Sequence, residues 1–168
     1  MIHNISSSLF AFIICIICFS FYATSISLAY AQQEIQSNIP DDRYTMRNST
    51  NGTSIDVKLE TSPYPINVNQ EPEFTVSFLK PSNDTLQDHV DFNLRIIKDS
   101  KQLFQATNQT GQPHIPLHAY DGYMTIPVLN YNFSKEGQYT IEVPVYGILF
   151  NPIIPEYAYF TVKVVPHQ

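Results

Sequence analysis

From Ile55 onward the chain alternates apolar and polar positions in short runs. Ile55, Val57 and Leu59 alternate with Asp56, Lys58 and Glu60, and Phe74, Val76 and Phe78 with Thr75 and Ser77. Val90, Phe92, Leu94 and Ile96 alternate with Asp91, Asn93 and Arg95. Further runs carry Met124, Ile126 and Val128, then Tyr139, Ile141 and Val143, then Ala158, Phe160, Val162 and Val164. A period of two sends successive side chains to opposite faces, so each run predicts a half-buried strand. Lys98-Asp99-Ser100-Lys101 separates the Val90 strand from a short one holding Leu103 and Phe104, which predicts a hairpin. No window of ten or more residues after residue 55 repeats at 3.6, so helix is not expected there. About seven short strands at this spacing predict an all-β fold, an antiparallel two-sheet sandwich over residues 55–168.

The prolines agree with that reading. All twelve lie after residue 39, and most fall at strand ends. Pro127 and Pro144 fall within or at the end of expected strands, where a missing N–H requires an edge or a bulge. A kink or stop is expected at Pro144. The expected core consists of Val57, Leu59, Phe74, Val76, Phe78, Phe92, Leu94, Ile96, Met124, Ile126, Tyr139, Ile141, Val143, Phe160 and Val162.

The stretch before residue 55 is different. Residues 32–54 have few sizeable apolar residues and no period, which predicts a flexible polar linker. Residues 1–31 contain no charged side chain apart from His3, and the run from Leu9 to Ala23 is strongly apolar. Ala29 and Ala31 form an A-x-A cleavage pattern, so residues 1–31 are read as a signal peptide or, if uncleaved, an N-terminal membrane anchor helix. Either way the rest of the chain faces outward, giving an expected address outside the cell or on the outer face of the cytoplasmic membrane. Contact with a membrane is expected only through that segment. Five N-x-S/T sequons, at Asn48, Asn51, Asn83, Asn108 and Asn132, also suit an exported protein.

Composition narrows the function classes. A net charge of -6 and no basic cluster argue against nucleic acid as a partner. Both cysteines, Cys15 and Cys18, lie in the leader, so the folded part has neither a disulfide nor a cysteine nucleophile. There is no G-x-S-x-G, no H-E-x-x-H and no phosphate-cradling glycine loop, and a non-enzymatic role is expected.

The segment Phe133-Ser134-Lys135-Glu136-Gly137-Gln138-Tyr139-Thr140-Ile141-Glu142-Val143 resembles the corner of immunoglobulin-like sandwiches in which a tyrosine hydroxyl bonds back to the chain. Together with Asp88-His89-Val90-Asp91-Phe92, His114, His118 and the closing Gly147–Ile153 segment, it resembles small secreted or membrane-tethered archaeal sandwich proteins and, more distantly, the YtkA-like family. The resemblance covers roughly residues 55–165. It implies a fold and an extracytoplasmic address, and it carries over no catalytic residue.

Two candidate sites remain. His89, His114 and His118 lie near loops or strand starts, close to Asp88 and Asp91, and imidazole with carboxylate suits copper or zinc. His114 and His118 are four residues apart around Pro116, about 13 Å in an extended strand, so they could share an ion only if the loop folds back. Gly147 to Pro155 reads as an apolar loop whose Ile148, Leu149, Phe150, Ile153 and Ile154 either close the end of the sandwich or meet an unknown protein or cell-surface partner. The leading expectation is an exported binding or structural module without a cofactor. The alternative is an extracytoplasmic copper- or zinc-binding domain.

Overall fold

The computed structural model describes residues 42–128 and 131–167. The leader, both cysteines and the linker up to residue 41 lie outside the described residues. The chain forms strands β1 (Tyr44–Ser49), β2 (Asp56–Ser62), β3 (Ile66–Asn67), β4 (Glu73–Leu79), β5 (Val90–Phe92), β6 (Arg95–Lys98) and β7 (Lys101–Gln105). A 3-10 turn at Ala106–Thr110 follows, then β8 (Leu117–Ala119), β9 (Tyr123–Pro127), β10 (Gly137–Ile148) and β11 (Asn151–Val165).

These strands make two sheets. The smaller has the order β1-β2-β4-β9, and the larger has the order β3-β11-β10-β5-β8, with β6 pairing β10 and β7 beside β5. One of the two sheets curls into a half-barrel. The strand count exceeds the expected seven because three elements are too short or too polar to show a period, and because the expected Val90–Ile96 strand is broken in two. The pairing is also not wholly antiparallel, since β3 runs parallel to β11.

Alternation explains the core. Val57 and Leu59 of β2 and Phe74, Val76 and Phe78 of β4 face Phe92, Ile96, Ile141, Val143, Phe160 and Val162 of the other sheet, all buried. The Phe78 ring meets the Phe92 ring edge-on at 4.8 Å, joining β4 of one sheet to β5 of the other. Burying side chains of this size stabilises the fold by roughly 1.5–3 kcal/mol each. All the expected core residues are buried except Met124, which lies half-buried against the core on edge strand β9. Ile55, Ile66, Phe133, Val145 and Val164 are among the further residues of the core.

The expected linker at 32–54 is corrected at Tyr44–Ser49, where β1 pairs in full register with β2. Only Met46 of β1 packs against the core, so the strand has no apolar alternation to read. Its backbone ladder and polar side chains hold it instead. Arg47 bonds Asp56 at 2.7 Å and Asp84 at 2.6 Å, and Asn48 donates its amide to the Tyr159 carbonyl at 2.5 Å. Ser49 donates to Asp56 Oδ1, and that bond together with Arg47 holds the Asp56 carboxyl below the usual carboxylate range.

Pro144 does not stop β10. It stands opposite Asn93, in the gap between β5 and β6, and its carbonyl accepts the Asn93 N–H at 3.0 Å. Carbonyl and amide of one residue face the same neighbour in an antiparallel ladder, so the missing N–H points into that gap. Asn93 is turned inward there, its Oδ1 accepting from Leu94 N–H and Thr107 N–H. The irregularity in β10 falls instead between Val145 and Gly147. The expected apolar loop at Gly147–Pro155 is likewise corrected: β10 and β11 continue through it, joined by a two-residue turn at Leu149-Phe150.

Candidate functional site

The site grows out of the pairing of β5 with β8. Phe92 opposes Leu117, Asp91 opposes His118 and Val90 opposes Ala119. The ladder continues beyond the strand, where His89 N–H donates to the Tyr120 carbonyl at 3.1 Å. Val90, Phe92 and Ala119 point into the core, so strand alternation sends Asp91, His118, His89 and Tyr120 to the other face together. β10 and its turn border them: Gly147 lies opposite Asp91, and Leu149 N–H donates to the His89 carbonyl at 2.9 Å.

The polar groups form a chain. His118 Nδ1 lies 2.7 Å from Asp91 Oδ1, and His118 Nε2 lies 3.2 Å from His89 Nδ1. A carboxylate can only accept, so His118 Nδ1 carries the proton of the first bond. One further proton lies between the two rings, on His89 Nδ1 when His118 is neutral. The side chains of His118 and Asp91 are about one-third exposed, so the chain of bonds opens to solvent at one edge.

Aromatic rings wall the imidazoles. The Phe150 ring centroid lies 4.1 Å from that of His89 and 5.8 Å from that of His118, nearly parallel to the latter. Tyr120 meets His89 edge-on at 4.4 Å. Even so, Phe150 is 70% exposed, Tyr120 65% and Leu149 50%.

The backbone here is strained. His89, Leu149 and Phe150 have φ of 52°, 51° and 63°, in the left-handed region that penalises residues with a Cβ. Gly147 serves a different need: a Cβ there would lie 2.8 Å from Asp91 Oδ2, so a larger residue would press on the carboxylate that orients His118.

Of the three candidate histidines, the structure brings His89 and His118 together. His114 lines a separate cleft of about 450 Å³ with Asn93, Arg95, Gln105, Thr107 and Tyr146. Among the described residues, no group of three or more His, Cys, Asp or Glu side chains is arranged to hold a metal ion. Asp88 is exposed and does not join the chain of bonds, whereas Asp91 does. Tyr120 and Gly147 belong to the site as well; the direct pairing of Asp91 with His118 could have pointed to Tyr120, but strand register is not written in local sequence.

In the apolar segment, Leu149, Phe150 and Ile154 are exposed, while Ile148 and Ile153 pack partly against the core. All five sequon asparagines are exposed. The Asn51 side-chain oxygen accepts the Tyr157 N–H, which leaves its amide nitrogen outward.

No family model and no curated protein matches the chain. Two solved structures share distant similarity with it. One is the soluble domain of PmoD from Methylocystis sp. ATCC 49242 (Rockwell), at 20% identity and a TM-score of 0.35, covering 60% of this chain and 76% of that one. The other is the C-terminal domain of wzt, at 13% identity and a TM-score of 0.38, covering 77% of this chain and 81% of that one.

Proposed function

We propose that this chain is an exported, glycosylated immunoglobulin-like β-sandwich module that binds a ligand at its β5–β8 edge and catalyses no reaction. The observation that carries the reading is the Leu149-Phe150 turn. Two large apolar side chains occupy strained left-handed positions and remain largely in water, and one of them, Phe150, stands over a hydrogen-bonded pair of histidines. Strain of this kind tends to gather at binding and active sites, where the surrounding structure sustains it. Apolar residues held in water beside convergent polar groups are a usual recognition surface. The immunoglobulin-like reading is supported by Tyr139, whose hydroxyl donates to the Lys135 carbonyl at 2.7 Å, as a tyrosine corner requires. Export is supported by the leader pattern and by the exposure of all five sequons.

The test is to map amide chemical shifts of the isotopically labelled chain against a panel of ligand chemistries: divalent metal ions, acidic and neutral oligosaccharides, short peptides and lipid vesicles. The reading expects at least one class to shift residues 89–91, 117–120 and 147–151 together. Saturable shifts confined to another face, such as the His114 cleft, or no saturable shift from any class, would overturn it.

A further inference from the structure

The chain of bonds from Asp91 to His89 has the layout of half a metal centre. We infer that the β5–β8 edge binds a first-row transition-metal ion through His89 Nδ1 and His118 Nε2, copper(II) more tightly than zinc, with Asp91 as the outer-shell acceptor. This inference rests on the reading of that edge as the binding surface and names its ligand.

The distance between the nitrogens is the first argument. Metal–imidazole bonds are about 2.0–2.1 Å, so two nitrogens 3.2 Å apart subtend roughly 100–106° at a shared ion. That lies between the angles of square-planar and tetrahedral coordination. The ring centroids are 5.4 Å apart, so the imidazoles now meet nearly end to end across a hydrogen bond. A turn of each ring by roughly 37–40° brings both lone pairs onto one point at the open edge. The proton between them then moves to His89 Nε2, and no net charge has to leave the neutral pair.

Orientation is the second argument. A histidine ligand commonly donates its second N–H to a carboxylate, which fixes the tautomer and strengthens the ligand nitrogen. His118 does so to Asp91 at 2.7 Å, leaving Nε2 as the donor atom. The fold supports this arrangement, since Gly147 leaves the Asp91 carboxylate unpressed and His89, in the left-handed region, holds its Nδ1 at 3.2 Å from His118. Chemistry then selects the ion. Neutral imidazole suits copper and zinc, and affinity for a given nitrogen site rises to a maximum at copper(II). Only two side chains supply ligands, so the remaining positions fall to water or to an incoming molecule, which makes this a site for an exchangeable ion.

The test is a copper(II) titration of the purified full chain, read by calorimetry and by pulsed electron paramagnetic resonance, which counts coordinated imidazoles. His3, Cys15, Cys18 and His167, which lie in the leader or at the C-terminus, are changed to alanine in every sample so that only the folded part is read. The expected result is one copper ion with two imidazoles, and zinc competing only weakly. His118→Gln and His89→Asn should each weaken binding at least tenfold and leave one imidazole; asparagine is chosen because it tolerates the left-handed backbone. Asp91→Asn should weaken binding 10–100-fold and keep both imidazoles. His114→Ala should change nothing.

Undiminished affinity in the doubly substituted His89→Asn/His118→Gln chain, or no binding at millimolar copper, would overturn the inference. Melting curves without metal identify any variant that fails to fold. If His89→Asn does, His118→Gln on the exposed edge decides. Should copper fail while another ligand class shifts the same residues, the metal inference falls and the binding edge stands; if nothing binds there, both fall.

Discussion

Leu149 and Phe150 occupy both central positions of the β10–β11 turn at φ 51° and 63°, where a two-residue hairpin favours Asn followed by Gly. Replacing the pair by Leu149→Asn with Phe150→Gly therefore removes strain without altering the turn. A left-handed residue with a Cβ costs roughly 1–2 kcal/mol, so the relief is about 2–3 kcal/mol. Against this stand the contacts of the Phe150 ring with His89 and His118, each worth about 0.5–1.5 kcal/mol. Little burial is lost, since Phe150 is 70% exposed and Leu149 50%. The net expectation is a gain of about 0.5 kcal/mol, or an increase in Tm of about 2 °C for a domain of this size. Urea and thermal unfolding measure it. The Asp99-Ser100 turn, at φ 50° and 61°, provides the control, because Asp99→Asn with Ser100→Gly relieves the same strain with no aromatic ring to lose. If the Leu149/Phe150 variant instead loses more than about 1.5 kcal/mol, the turn belongs to the architecture of the two sheets, and the argument from strain to binding is wrong.

Three further predictions follow from the packing and the charges. Phe92→Ala, which empties a fully buried position against Phe78, should destabilise by about 3–5 kcal/mol in the same unfolding experiments. Tyr139→Phe keeps the ring and removes the hydroxyl bond to Lys135, so a smaller loss of about 0.5–1.5 kcal/mol is expected. Asp56 has its carboxyl lowered by the Ser49 hydrogen bond and then by Arg47, so its stabilisation is complete above the ordinary carboxyl pKa near 4 and is lost as pH falls through the lower folded value. Unfolding free energy measured from pH 6 to pH 2 should accordingly fall less steeply in Asp56→Asn than in the parent chain; parallel acid limbs would show that Asp56 carries no such linkage.

Much of the fold was legible because its central strands are half-buried and their sequences say so. β2, β4, β9, β10 and β11 were visible as alternating runs, and the side chains expected inside are inside, with Met124 only half so. What escaped notice has a common cause. β1 is held by its ladder and by Arg47 rather than by an apolar face, β8 has three residues, and the gap at Asn93 arises from a side chain taking over backbone bonds. The Leu149-Phe150 turn was hidden because its residues contradict the chemistry such turns favour. Three histidines could be noticed in sequence, but the pairing of His118 with Asp91 depends on the register between β5 and β8. That register also places His89 beside His118 and leaves His114 in another cleft.

The most direct measurement is a crystal structure of the chain soaked in copper(II), with data collected on both sides of the copper absorption edge. The expected result is an anomalous peak within about 2.0–2.1 Å of His89 Nδ1 and His118 Nε2, with His118 Nδ1 still bonded to Asp91 and Phe150 still over the rings. An anomalous map with no peak there, and the two imidazoles still joined by their hydrogen bond, would contradict it.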